Sequence, residues 1–295
     1  MRITDIVAVD IEHETRRNCA LLPYQQVLIA LQYYASGTFH IIVGDPLQIS
    51  QSTACRSIHR VSTSLAQKID DFVKFPNNAE AQGIKDEFFQ IAQFPGVIGC
   101  VDGTHVWIIS PHEHKVDFVN RKGYHSINVQ VICDANGKWI NIVARWPGST
   151  HDSRMLRSST IWNIMENGQT SGYILGDSGY PCRNWLMTPL LQPHGAAEQR
   201  YNSSHKRTRV LVEQSIGRWK RRFHVLHSEN RMRNPENTCR VIAATAVLHN
   251  IAIDLNESLV DDIEPGQQQP HLLEYQGPHN GHRERSVFIN THFND

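Results

Sequence analysis

The spacing of apolar residues changes twice along this chain and divides it into three parts. Between residues 24 and 70 it is helical. Val27, Leu28, Leu31 and Tyr34 share a face, and Gly37 is placed as the stop. After a turn around GDPLQIS, Ser50 is placed to cap a further helix with the stripe Ala54, Ile58, Val61, Leu65 and Ile69. The opposite face carries Gln51, Ser52, Arg56, His59 and Arg60. A short helix, a turn and a helix with a polar-basic start resemble a helix-turn-helix, although plain helical support gives the same pattern. One more helix is predicted from about Asn78 to Gln93, with Ile84, Phe88 and Ile91 aligned.

FPG then breaks the chain and the period changes to that of strands. VIGCVDGTHVWII reads as a buried strand running past Asp102. SINVQVICD and KWINIVARW are two more, joined through Ala135-Asn136-Gly137, which is hairpin chemistry. PGSTHDSRML starts a helix, with Ser149 or Thr150 as candidate caps. Gly172 to Gly176 gives a short strand ending at Asp177. A basic helix and a long apolar helix, Val241 to Ile253, follow. This order predicts an α/β fold with a mixed sheet flanked by helices over 95–255. A small all-α, helix-turn-helix-like region (1–94) precedes it. The remainder, 256–295, is rich in Gln, Pro, His, Asn and Asp and is predicted to be a flexible acidic tail with no packed core.

Hydrophobic content of 40% and charged content of 20% over 295 residues fit a globular chain with a sizeable core. Formal net charge is zero, but its distribution is uneven. From Arg200 to Arg233 ten Lys and Arg face two Glu; from Ile251 to Asp295 eight acids face two Arg. Such asymmetry points to a nucleic-acid face and an acidic end, or more blandly to two solvated surfaces. Six scattered cysteines form no C-x-x-C pair, which favours a reducing compartment and argues against a structural zinc site. The start of the chain lacks the apolar core of a signal peptide, and no segment has the run of about 18 apolar residues that a membrane span needs. A soluble, intracellular protein is expected.

Three acids stand where chemistry is expected. Asp102 and Asp177 each follow an apolar run, as a side chain at a sheet edge does. Glu213 lies in the basic helix, at the edge of the stripe Val212, Ile216, Trp219 and Phe223 and one turn before Gly217. Carboxylates within a basic surface suit hard divalent ions acting on a polyanion. Asp152, at a predicted helix start, is a fourth candidate, with the helix dipole as its ordinary explanation. His105 and His151 are candidate outer donors, with ordinary packing the commoner role. Arg207, Arg209, Lys220, Arg221 and Arg222 are the expected phosphate contacts. From the residues alone, a metal site and three unrelated surface acids both remain open.

The segments VDGTH, NRKGYHSINVQVICDANG, WPGSTHDSRML, LGDSGYPCRNWLMTPL, AEQRYNSSHKRTRVLVEQSIGRWKRRF and AVLHNI together resemble the PIF/Harbinger superfamily of DDE transposases, and within it the Harbinger transposase-derived nucleases. The resemblance spans Gln26 to Ile253. It implies an RNase H-like fold and a DNA nuclease using two Mg2+ or Mn2+ ions, held by Asp102, Asp152, Asp177 and Glu213, with Asp102 bridging. It further implies DNA as substrate, a separate Myb-like DNA-binding partner, a nuclear place of work beside the cytoplasm, and assembly into dimers or larger species. It also implies a longer N-terminal helical region than the roughly twenty residues that precede LPYQQVLIALQYYASGTF here. An active transposase and a non-catalytic DNA- or protein-binding adaptor are the rival readings.

Overall fold

The structure, a computed structural model, describes residues 3–15, 20–257, 275–278 and 280–294. Six helices come first: α1 (Ile3–Ile11), α2 (Pro23–Ser36), α3 (His40–Gly44), α4 (Gln51–Gln67), α5 (Ile69–Phe72) and α6 (Asn78–Ala92). Strands β1 (Val97–Trp107), β2 (Ser126–Cys133) and β3 (Trp139–Pro147) follow, then α7 (Asp152–Arg157), α8 (Thr160–Glu166), β4 (Tyr173–Leu175) and β5 (Leu186–Met187). Three helices close the chain: α9 (Gly195–Arg222), α10 (Pro235–Asp254) and α11 (His282–His292).

Local chemistry sets the helix ends. Gly37 ends α2 in the left-handed region at φ 63°, its N–H donating to Tyr33 O. A Cβ there would meet Ser228 Oγ at 2.5 Å, so glycine is needed on both counts. Ser50 Oγ caps α4 by accepting the Thr53 N–H at 3.2 Å. The stripe Ala54, Ile58, Val61 and Leu65 is buried, and α4 packs against α2 and α10. One apolar core runs from Val7 and Ile11 through Ile58 to Val247 and Ile251, so the helical region is joined to the sheet by shared burial. No helix among the described residues is long and apolar enough to cross a membrane.

The sheet has the order β3-β2-β1-β4-β5. The first three strands form an antiparallel meander, while β4 joins β1 and β5 joins β4 in parallel. The mixed sheet is as expected, and so is the hairpin, where Gly137 takes φ 78°. Strand β5 was not anticipated. Nor was the start of α7, where His151 is the cap residue and gives no side-chain hydrogen bond, in place of Ser149 or Thr150. α10 begins six residues before Val241, with Asn234 accepting the Glu236 N–H at 2.9 Å.

α10 is fastened to the sheet by Asn250. Its side chain accepts the Trp139 N–H (2.8 Å) and donates to Trp139 O (2.7 Å) and Phe72 O (2.8 Å). The neighbouring His249 ring stacks on Trp139 at 4.9 Å. The AVLHNI segment therefore serves packing.

The expected coreless tail needs correction where it is described. Residues 258–274 lie outside the described residues, but α11 and the residue after it bury Phe288, Ile289 and Phe293 in the core, with Phe288 and Phe293 against Phe94 and Tyr201. Arg285 is buried with them and donates to Thr188 O at 3.0 Å. Polar composition on one helix face masked the apolar face on the other. Phe288→Ala is expected to cost about 3 kcal/mol in denaturant unfolding, as for a buried aromatic. A cost near zero would mean that α11 contributes nothing to the fold.

Candidate functional site

Asp102, Asp177 and Glu213 come from three elements and meet at one cation. Asp102 lies in the middle of β1 and is 2% exposed. Asp177 follows β4, the parallel neighbour of β1, so the two carboxylates share one sheet edge. Glu213 projects from α9, which crosses beside β1; Cys100 Sγ donates to Thr208 O at 3.8 Å where they touch. Between the acids lies the guanidinium of Arg209. Its Nη2 is 3.1 Å from Asp102 Oδ1 and 3.7 Å from Asp177 Oδ2, and its Nη1 donates to Glu213 Oε1 at 2.6 Å.

The electrostatics follow from this burial. Desolvation pushes Asp102 up to about 7, against the pull of Arg209, and Asp177, Asp152 and Glu213 add to the rise. Asp177 is raised by the same burial, again opposed by Arg209 and by the Gly179 N–H that donates to its Oδ1 at 2.8 Å. Burial lowers Arg209, but Asp102, Asp177 and Glu213 outweigh it and hold the group above its ordinary value. Asp102 Oδ2 and Asp177 Oδ2 are buried with no hydrogen-bond partner. Asp177 Oδ2 has only the Arg209 guanidinium beside it at 3.7 Å, too long for a hydrogen bond, and a buried carboxylate oxygen without a hydrogen bond is costly.

Asp152 stands apart. It opens α7, and Asn128 Nδ2 donates to its Oδ1 at 2.9 Å while also holding Thr150 O. A Cβ on Gly103 would meet Asp152 Oδ1 at 2.5 Å. Side chains alternate along a strand, so Asp152 packs on the face of β1 opposite Asp102. Burial raises its pKa, with Asn128 opposing. Tyr180 was not anticipated: its hydroxyl is buried and unpartnered, and after burial itself Asp152, Asp177 and Asp102 are what push its pKa well up. His105 bonds Ser126 Oγ at 3.0 Å and His151 bonds Arg121 Nη2 at 2.7 Å; neither reaches the acids by a hydrogen bond.

Of the expected phosphate contacts, only Arg207 and Arg221 are exposed. Arg209 turns inward, as described. Lys220 Nζ donates to His105 O at 2.7 Å, and Arg222 Nη2 donates to Glu257 O at 2.6 Å. The expectation that these side chains reach outward fails because positions 209 and 220 lie one turn from residues facing the sheet. Burial pulls Lys220 down from 10.5 to about 8. The folded protein thus releases this proton near pH 8, and the unfolded chain only near 10.5. Between those values the unfolded state binds more protons, so stability is expected to rise with pH. Lys220→Met should remove that rise in a denaturation series from pH 8 to 10.5.

Carboxylate oxygens are the donors that hard divalent ions take, and the two oxygens without a hydrogen bond fit that use. As the side chains stand, no three His, Cys, Asp or Glu among the described residues converge closely enough to hold an ion. Arg209 occupies the position between them, so the fit is of residue type and placement, with Arg209 supplying the positive charge.

This arrangement coincides with a family match. Residues 101–250 fit the model described as DDE superfamily endonuclease, and the chain belongs to that superfamily. Within it, the chain is similar to the Harbinger transposase-derived "Putative nuclease HARBI1". It is 36% identical to the Homo sapiens protein over 93% of this chain and 80% of that one, and 36% identical to the Mus musculus protein over 90% and 77%. More distant is "Probable transposase for insertion sequence element IS702" of Microchaete diplosiphon, 24% identical over 79% of this chain and 82% of that one. No solved structure matches.

Proposed function

We propose that the protein is a divalent-metal-dependent DNA endonuclease of transposase descent, built on an RNase H-like domain. The strand order, an antiparallel meander extended by parallel strands, supports that fold. The observation that carries the function is the convergence of Asp102, Asp177 and Glu213 on one cation at the sheet edge, with two buried carboxylate oxygens lacking a hydrogen bond.

In this reading Asp102 and Asp177 would hold Mg2+ or Mn2+ as the fixed ligands, positioned by β1 and by the Gly179 N–H. Glu213 is the adjustable one: its side chain is 46% exposed and has the open space beside Gly217 to turn into. Two bound ions would activate water and stabilise the leaving oxygen of a phosphodiester. Asp152 acts across β1, adding negative charge to the pair. A DNA substrate places the work in the nucleus, and the Myb-like partner and self-assembly suggested by the sequence belong to the same proposal.

A non-catalytic adaptor has one observation in its favour, since Arg209 already neutralises the acids without a metal. Titration with Mn2+, followed by electron paramagnetic resonance, separates the two. The nuclease reading expects binding by the native protein that Asp102→Asn and Asp177→Asn lose. Native protein that binds no Mn2+ would support the adaptor.

A further inference from the structure

Exposed positive charge gathers beside α7 as well as on α9. Arg145 on β3, and Arg154 and Arg157 on α7, are exposed, as are Arg121 and Lys122 in the loop between β1 and β2. Among the described residues, none of the five has a carboxylate within 4 Å, whereas Arg209 on α9 is spent on three. An arginine left without an acid, on a protein of zero net charge, is available for a phosphate.

These side chains are ordered by aromatic rings. Arg145 and Arg154 both lie over Trp146, each 5.7 Å from the ring centroid. Arg145 Nη2 also donates to Ser158 O at 3.3 Å. Arg157 lies over Trp162 at 5.8 Å and over Tyr275 at 5.7 Å. Arg157 Nη2 also donates to the Tyr275 hydroxyl. Stacking and these single bonds fix each guanidinium while leaving its other N–H groups to bond, which lowers the entropy lost when a phosphate arrives. The same face carries Asp152, since Arg121 bonds His151 and His151 immediately precedes it.

We propose that Arg145, Arg154 and Arg157, stacked on Trp146 and Trp162, form a track for the DNA backbone leading away from the carboxylates along β3 and α7. The track rests on the nuclease reading and names the side on which the substrate's flank lies. It reads phosphate, not sequence, since guanidiniums held by stacking on the surface offer backbone contacts that carry affinity without base readout.

The test compares full-length native protein with the triple variant Arg145→Gln, Arg154→Gln, Arg157→Gln and with a control on α9, Lys206→Gln with Arg207→Gln. Binding to a short duplex is measured across a salt series, and Mn2+ binding is measured on all three proteins. The triple variant is expected to bind DNA about tenfold more weakly or worse and to lower the slope of log K against log salt by about 2 to 3, while Mn2+ binding stays native. The control should change both quantities less. An unchanged slope in the triple variant, with a fallen slope in the control, would overturn the track while leaving the nuclease standing. Native protein that binds no duplex would overturn both. Melting curves confirm that each variant is folded, and a triple variant that fails to fold is replaced by Arg154→Gln alone, for which the expected slope loss is about 1.

Discussion

Asp102→Asn is expected to lower metal-dependent DNA cleavage by about a thousandfold while leaving the protein folded. Asparagine keeps the size of the side chain, removes its charge and puts an NH2 group where one carboxylate oxygen stood. Asp102 is nearly fully buried and pays for its ionisation, as its rise to about 7 shows. Neutralising it therefore relieves desolvation, and Arg209 keeps Asp177 and Glu213 as partners. The loss falls on chemistry: several kcal/mol of charge stabilisation at the reacting phosphate, taken as about 4, converts to roughly three decades in rate. Initial nicking rates, read beside the melting temperature, check both halves. A variant that melts like the native protein and cuts at a similar rate would remove Asp102 from the chemistry.

Arg209→Gln has the largest expected effect on stability. The change leaves Asp102 and Asp177 buried together with no countercharge, and breaking such a buried pair from one side costs about 3 kcal/mol or more. Added Mg2+ should then recover more stability in the variant than in the native protein, because an ion and the guanidinium would neutralise the same oxygens. The measurement is urea unfolding with and without 10 mM or so of Mg2+, a concentration chosen well above an assumed dissociation constant so that linkage is visible. Equal metal responses in the two proteins would show that Arg209 and the ion do not compete.

Much of this site was legible in the sequence, and its failures have identifiable causes. The strand through Asp102 and the hairpin after it could be read because their apolar runs are bounded by turn residues at Gly96 and Gly137. Placing Glu213 at the edge of the buried stripe was sound, since Val212, Ile216 and Trp219 are all buried. The same helical arithmetic puts Arg209 one turn before Glu213 on the same face, so a glutamate turned to the sheet edge brings that arginine with it. Arg209 is therefore an inward partner of the acids and not an outward phosphate contact. The split between Asp152 and the other acids was hidden, because it depends on which face of β1 each side chain takes and on the gap at Gly103. Strand β5 has two residues, too few for a period. The arginines on β3 and α7 are spread over separate segments of the sequence, and only the fold gathers them around Trp146.

Cleavage of supercoiled plasmid in Mg2+ or Mn2+, by the native protein beside Asp177→Asn, is the most direct measurement. A metal-dependent nuclease predicts nicking by the native protein that chelation stops and the variant lacks. Equal nicking by both proteins, or none by either while DNA remains bound, would contradict it.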